Sequence, residues 1–561
     1  MAWIHLALAA VLAALANCLD NNVVYMHEND NTTKPESLCP ELAACHCEAR
    51  DGKDVIDCSN RELTRLPNFA GLIGKKYDTI LLNNNKFSRI LKGAFQGLNV
   101  KRMVISNNTL RLPSDNAFNE LYMLEELIMN NCTLSSTPVA FSSFVKLKHL
   151  ELQNNEIRQI DTKALEKMVH LEHLDLSGNQ ISITAPFDGF KTLTKVKRLF
   201  MKNCGLFTIP HDAIGHMTKL VTLNLSKNKI WKFLSDVFDQ MSELTTLDLS
   251  DNPFEFNSKE KVFAALNKLQ VLKLGGCKCQ DKKLHRNVIS NLKRLRTLHI
   301  KSCDIHEMDP DVFQHLDELR ELNIGGNHFI LKSNIFQGVT DTIEKLYLDD
   351  AGLERFPYHI FEPFSRLRQV YVRDNDIEWL AAHDFQTLRR DGVHVYLQRN
   401  KIKKISKKAL QWSPRPIHLH LQHNKLTNLS FIEKAPCHFQ LVTMYLKGNN
   451  ITCNCDVFKA VQMKAFTLVG KCSKPKEYHG LHLSWMPDIK KAKELFVEHN
   501  ITSCNLEARH EQRFECTCDK WMAWNKNDRC GVVGVADRPA SFTLSFFFTT
   551  IISLVVCSYL R

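Results

Sequence analysis

Tyr347, Tyr371, Tyr396, His420 and Tyr445 follow one another at intervals of 24 or 25 residues. Rings so spaced can meet a partner together only if each interval is one turn of a repeating backbone. On neighbouring parallel strands they would stand ~4.8 Å apart, in a near-continuous row. Tyrosines with a guanidinium beside them, here Arg373, are the chemistry enriched at protein-binding surfaces. The alternative role is cross-strand packing of half-exposed rings that only steadies the sheet.

Other residues offer other chemistries. Arg399, Lys401, Lys403, Lys404, Lys407 and Lys408 crowd one interval; such a run is a solvated face or a grip for sulfated glycans or anionic head groups. His394, His418 and His420 fall on two adjacent intervals, where imidazoles can bind metal or respond to pH. No carboxylate stands ready to orient them as ligands, so ordinary surface histidine is the default and no metal site is expected. N-x-S/T sequons begin at Asn31, Asn107, Asn131, Asn224, Asn428, Asn450 and Asn500, each a candidate glycosylation site in a secreted chain. There is no G-x-S-x-G elbow, Walker loop or H-E-x-x-H pair. The expectation is therefore no catalytic residue, no cofactor and no enzyme.

The element that must position these groups is the phrase L-x-x-L-x-L-x-x-N-x-L, seen whole from Leu171 to Ile181. Its ninth position recurs as Asn85, Asn108, Cys132, Asn155, Asn179, Cys204, Asn228, Asn252, Cys277, Cys303, Asn327, Ala351, Asn375, Asn400, Asn424 and Asn449, sixteen positions 23 to 26 residues apart. That is the signature of leucine-rich repeats. The fourth and sixth positions turn inward from a short strand and the fifth turns outward. The ninth-position Asn can pair backbone groups that the following turn would leave buried; Cys or Ala there weakens the series. An A-F-like phrase further along most units (Phe95, Phe118, Phe238, Phe313, Phe336, Phe361, Phe385) predicts an aromatic spine on the back of the coil. No unit buries a core alone, so neighbours stack. The expected fold is α/β, a curved leucine-rich-repeat horseshoe of about sixteen repeats with a concave parallel sheet over residues 77–448.

The outward fifth positions divide that sheet. Leu81, Val104 and Ile128 form an aliphatic row, a mixed middle includes Asn224, and the five-ring row comes last. A glycan on Asn224 would deny the middle to a large partner.

Compartment is read from the ends and the cysteines. Residues 1–19 form an apolar, alanine-rich signal peptide and residues 20–38 a polar lead-in. Residues 542–561 are an apolar segment followed only by Arg561. It reads as a glycosylphosphatidylinositol attachment signal, with Gly531, Gly534 and Ala536 as small residues near the site, and a spanning helix is the alternative. The formal net charge is +12 among 561 residues. Export makes nucleic acid an unexpected partner despite that charge. Of nineteen cysteines, Cys39, Cys45, Cys47 and Cys58 precede the repeats within residues 39–76. Cys453, Cys455, Cys472 and Cys504 follow within 449–504. Secreted solenoids close their exposed ends with such stapled caps, and four cysteines allow three pairings in each. Cys132, Cys204, Cys277, Cys279 and Cys303 read as buried free thiols. Cys437, Cys516, Cys518 and Cys530, the last three in a linker over 505–541, are left unassigned.

Repeats between two cysteine-rich caps resemble the extracellular leucine-rich-repeat receptors and adhesion proteins, above all lipid-anchored members such as connectin and chaoptin. The resemblance covers residues 39–504. It implies the pairings Cys39–Cys47, Cys45–Cys58, Cys453–Cys472 and Cys455–Cys504. It also implies a protein of the outer plasma-membrane face that binds an extracellular protein ligand in adhesion or ligand capture. An innate-immune recognition or decoy molecule and a matrix protein that binds sulfated glycans are the other readings.

Overall fold

The computed structural model describes residue 42 and residues 44–181, 190–232, 234, 236–256, 261–410, 417–431, 442–454, 457, 466–474 and 476–483. The signal peptide, lead-in, linker and apolar C-terminal segment lie outside the described residues, as do Asn31, Cys39, Cys437, Cys455, Asn500 and Cys504. The chain divides into two compact units, Met1–Phe254 and Glu255–Arg561.

In the first unit a hairpin, His46–Arg50 against Lys53–Asp57, begins the sheet, and its second strand runs parallel to Tyr77–Leu81. Seven more strands follow in chain order from Val100–Val104 to Thr246–Asp248, each parallel to the one before. In the second unit nine strands run parallel from Val271–Lys273 to Phe466–Val469. The fold in both is the expected leucine-rich-repeat solenoid. Helix is scarce: the α-helices of the described residues are single turns, Thr162–Leu165 and His211–Ile214.

The repeat phrase explains each coil. Leu174, Leu199, Leu223 and Leu247, in fourth positions, are wholly buried while their strand neighbours at the fifth position are mostly half-exposed. At the ninth position Asn179 donates from Nδ2 to the Leu152 and Leu176 carbonyls (2.9 and 2.7 Å), and its Oδ1 accepts from the Ile157 amide (3.0 Å). One side chain thus satisfies groups on two successive coils, at about 1 kcal/mol per bond. Where Cys replaces Asn, the thiol keeps the donor half: Cys132, Cys204 and Cys303 reach the carbonyls of Ile105, Leu176 and Leu274 at 3.3, 3.1 and 3.3 Å. A thiol is a weak acceptor, so the Asn108 and Asn179 amides that reach Cys132 and Cys204 are held less firmly than by an Asn oxygen. Ala351 supplies neither.

The eighth position carries a second regularity. All sixteen residues there, from Asn84 to Gly448, have a left-handed backbone, with φ between 51° and 85°. This is where the strand turns out of the sheet, and Asn, Asp and Gly tolerate it best. Asn84, Asn107 and Asn131 also link side chain to side chain along this edge, at 2.6 and 2.7 Å.

The expected spine is present. Phe69, Phe95, Phe118 and Phe141 follow in series with centroids 5.6–6.2 Å apart, the first two pairs stacked and the third tilted, and Phe336 meets Phe364 at 5.2 Å in the second unit. The disulfides Cys45–Cys58 and Cys453–Cys472 close the two ends as the resemblance implied. Cys47 is also disulfide-bonded, its expected partner lying outside the described residues. Cys132, Cys204, Cys277, Cys279 and Cys303 are free and buried. Among the described residues no helix is long and apolar enough to cross a membrane.

Candidate ligand-recognition face

Parallel register brings the predicted row together on the outward face of the second unit. Tyr347 pairs with Tyr371, Tyr371 with Tyr396, Tyr396 with His420 and His420 with Tyr445. The rings stack almost flat, with centroids 4.1, 4.2, 4.1 and 4.4 Å apart and planes within 17°. Each ring is half-buried. Stacking has a chemical consequence the sequence did not disclose: interior rings spend both π-faces on their neighbours. What points outward is a strip of ring edges and hydroxyls, suited to hydrogen bonding more than to stacking.

The groups beside the strip tune it. Arg373 binds Asp349 through Nε and Nη2 (3.1 and 2.7 Å) and lies over the Tyr371 ring, 5.0 Å from its centroid. It is thus held in place rather than free to swing. Glu321 accepts from His299 at 3.0 Å and faces Lys345 at 3.5 Å, which pulls its carboxyl down to about 2. Burial raises the phenols of Tyr347 and Tyr396, the latter to about 12. Both are neutral donors at physiological pH. Next to Tyr396 and His420, Gln398 and Gln422 hold amide oxygens that are buried without a hydrogen-bond partner. Such acceptors are costly unless something fills them. Reading the sequence missed them, although both sit in the seventh position, two residues past a row ring.

The three histidines cluster as the spacing implied. His394 Nδ1 lies 3.1 Å from His420 Nε2, and the His394 and His418 rings stack at 4.4 Å. The Thr443 amide donates to His418 Nδ1, so the other nitrogen of that neutral ring carries its proton and is no ligand. Burial lowers all three, His420 to about 4.

Half of the basic run is paired with acids. Arg399 pairs with Asp374, Lys401 with Asp376 at 2.7 Å and Lys403 with Glu378 at 2.9 Å. Lys404, Lys407 and Lys408 are exposed.

In the first unit, His149, Glu151 and His173 place their ligand atoms within 4.8 Å of one another. The imidazoles stack at 4.0 Å and 11°, so their in-plane lone pairs run side by side instead of converging. Arg198 Nε donates to His173 Nδ1 at 2.9 Å. Burial, with His149 and Arg198 beside it, lowers His173 to about 4, so this neutral ring keeps its proton on Nε2. The arrangement is a packed polar cluster, without the converging lone pairs of a metal centre.

The described sequon asparagines are accessible. Asn107, Asn131, Asn428 and Asn450 are exposed. Asn224 is half-buried on the outward sheet face, its Oδ1 accepting from the Ser226 amide and hydroxyl at 2.9 and 2.7 Å.

Comparisons with known proteins agree with this architecture. Family models match as Leucine rich repeat over 128–181 and 194–254, and as BspA type Leucine rich repeat region over 259–368 and 282–417. The chain is 27% identical to human CD180 antigen over 162 residues, 27% of this chain and 24% of that protein. It is 28% identical to human Toll-like receptor 2 over 107 residues, 19% of this chain and 14% of that protein. It thus spans a quarter or less of the curated relatives it matches. Among solved structures, that of the Drosophila Toll–Spatzle complex aligns with 81% of this chain and 77% of its own at 16% identity and a TM-score of 0.48. The TLR13–ssRNA13 complex aligns with 76% and 75% at 19% identity and a TM-score of 0.44. Repeat phrase, side-chain ladder and matching models agree that this chain is a leucine-rich-repeat protein.

Proposed function

We propose that this protein is a cell-surface recognition molecule that holds an extracellular protein ligand on the outward sheet face of its second unit. The observation that carries the reading is the strip from Tyr347 to Tyr445, flanked by the unfilled acceptors of Gln398 and Gln422 and by the fixed Arg373. Immobile phenols and a pre-set guanidinium cost little conformational entropy on binding. The matching segments of CD180 antigen and Toll-like receptor 2 favour a receptor or immune-recognition role over a matrix role. The ion pairs of Arg399, Lys401 and Lys403 count against the sulfated-glycan reading, because those cations already have partners.

Under this reading residues 1–19 direct export, residues 542–561 supply a glycosylphosphatidylinositol anchor, and the protein acts by binding, without catalysis or cofactor. Cells displaying the full chain, screened against a collection of extracellular proteins, should capture a partner. The triple substitution Tyr371→Ala, Tyr396→Ala, Tyr445→Ala should then abolish capture while antibody staining stays equal. Undiminished capture by the triple variant would sink the proposal.

A further inference from the structure

A second surface lies in the first unit. Phe207 and Trp231 hold the same position, the twelfth, in consecutive coils, joined by a Trp231 amide to Phe207 carbonyl bond of 3.2 Å. With Leu234 they are 57%, 58% and 57% exposed. A single exposed apolar side chain is ordinary; three bulky ones on two adjacent coils form a patch that asks for a partner.

The charge around this patch is positive and concentrated. Some lysines of the unit find acids one coil back, as Lys86 does with Glu62, Lys148 with Glu125 and Lys197 with Glu172, at 3.1, 2.7 and 2.9 Å. Lys227, Lys229 and Lys232, which interleave with Trp231 in the sequence, are exposed and have no carboxylate within ion-pair distance among the described residues. Lys229 instead lies over the Phe207 ring, 5.6 Å from its centroid. Its ammonium stands over the aromatic face while the residue stays exposed.

From these observations we infer that the Phe207–Trp231–Leu234 patch, rimmed by Lys227, Lys229 and Lys232, docks on an anionic phospholipid surface. Trp and Phe suit the depth of lipid head groups, where one end of a ring is apolar and the other wet. Each nearby lysine strengthens attraction to acidic lipid roughly fivefold. The attraction falls as salt rises. This surface is independent of the ring row, so either can fail without the other.

Cells displaying the full chain would be incubated with fluorescent phosphatidylcholine vesicles, with or without phosphatidylserine. The wild type should retain the acidic vesicles, not the neutral ones, and lose them at high salt. The triple variant Lys227→Gln, Lys229→Gln, Lys232→Gln should lose on the order of a hundredfold in retention. Trp231→Ala should lose about tenfold at unchanged salt dependence. All four positions are exposed, so equal surface display is expected. No retention of acidic vesicles, or retention unchanged in the triple variant, overturns the inference. Capture of soluble polyglutamate without retention of acidic vesicles also overturns it and would make the occupant an acidic protein.

Discussion

Tyr371 and Tyr396 lie face to face, ring centroids 4.2 Å apart and planes 3° from parallel, on strands that pair residue for residue. Because each covers the other, neither offers its π-face to a ligand. Removing one ring uncovers its neighbours and removes a hydroxyl. Tyr396→Phe keeps the stack and deletes only the hydroxyl. Ligand affinity should fall about three- to tenfold for Tyr396→Phe and more than a hundredfold for Tyr396→Ala, with thermal stability altered only by the latter. Titration of a captured partner on displayed variants reads both numbers.

The ninth-position series predicts stability in both directions. Asn179→Ala deletes three buried bonds and strands the Ile157 amide, so it should destabilise by about 2–4 kcal/mol. Ala351→Asn restores a missing member between Asn327 and Asn375 and should stabilise by about 1–2 kcal/mol. Denaturant unfolding of the purified variants measures both. A stabilised Asn179→Ala would refute the role given to the ladder.

Acid should weaken the fold in two separable windows. His173 and His420 are pushed down to about 4 chiefly by burial. An unfolded chain, with histidine near 6.5, then binds more protons between those values. Stability is therefore full above about pH 6.5 and declines as pH falls toward 4. Glu321, pulled down to about 2 by His299 ahead of its other partners, acts later. Its contribution is full above about pH 4.5 and is lost as pH falls toward 2. Replacing His420 with Gln should make the first window shallower, His173 still contributing, and leave the second. Unfolding midpoints taken across pH 7 to 2 would show it.

Buried ladder thiols should be inert in the native protein. Burial raises Cys132 to about 11 and Cys204 to about 12, and the reactive species is the thiolate. Iodoacetamide at pH 8 should leave both unmodified until denaturant is added, as peptide mass spectrometry would read. Rapid native labelling of Cys204 would contradict its placement.

The coils were legible in the sequence because their determinants are local. Leu174 and Leu176 differ from Asp175 by the period of a strand, and Asn179 follows at a fixed distance whatever lies beyond. The ring row was legible for the same reason, since register follows from period. What could not be read is anything that depends on side-chain direction across coils. The pairing of Arg399, Lys401 and Lys403 with Asp374, Asp376 and Glu378 needs the acids to be seen one period earlier. The unfilled oxygens of Gln398 and Gln422 need the burial of particular atoms. The left-handed eighth position had a visible trace, a run of Asn, Asp and Gly, interrupted by Lys227, Ser302, Arg399 and His423, which the coil constrains despite their preference.

The left-handed residue and the buried Asn or its substitute fix the path from the third to the ninth position of each coil, always six steps. The spread from 23 to 26 residues per coil must therefore be absorbed on the far side, after that turn. Insertions and deletions can thicken or thin the back of a coil while its strand face keeps a constant spacing. Contact residues there are free to be exchanged one at a time, with no shift in their neighbours' spacing.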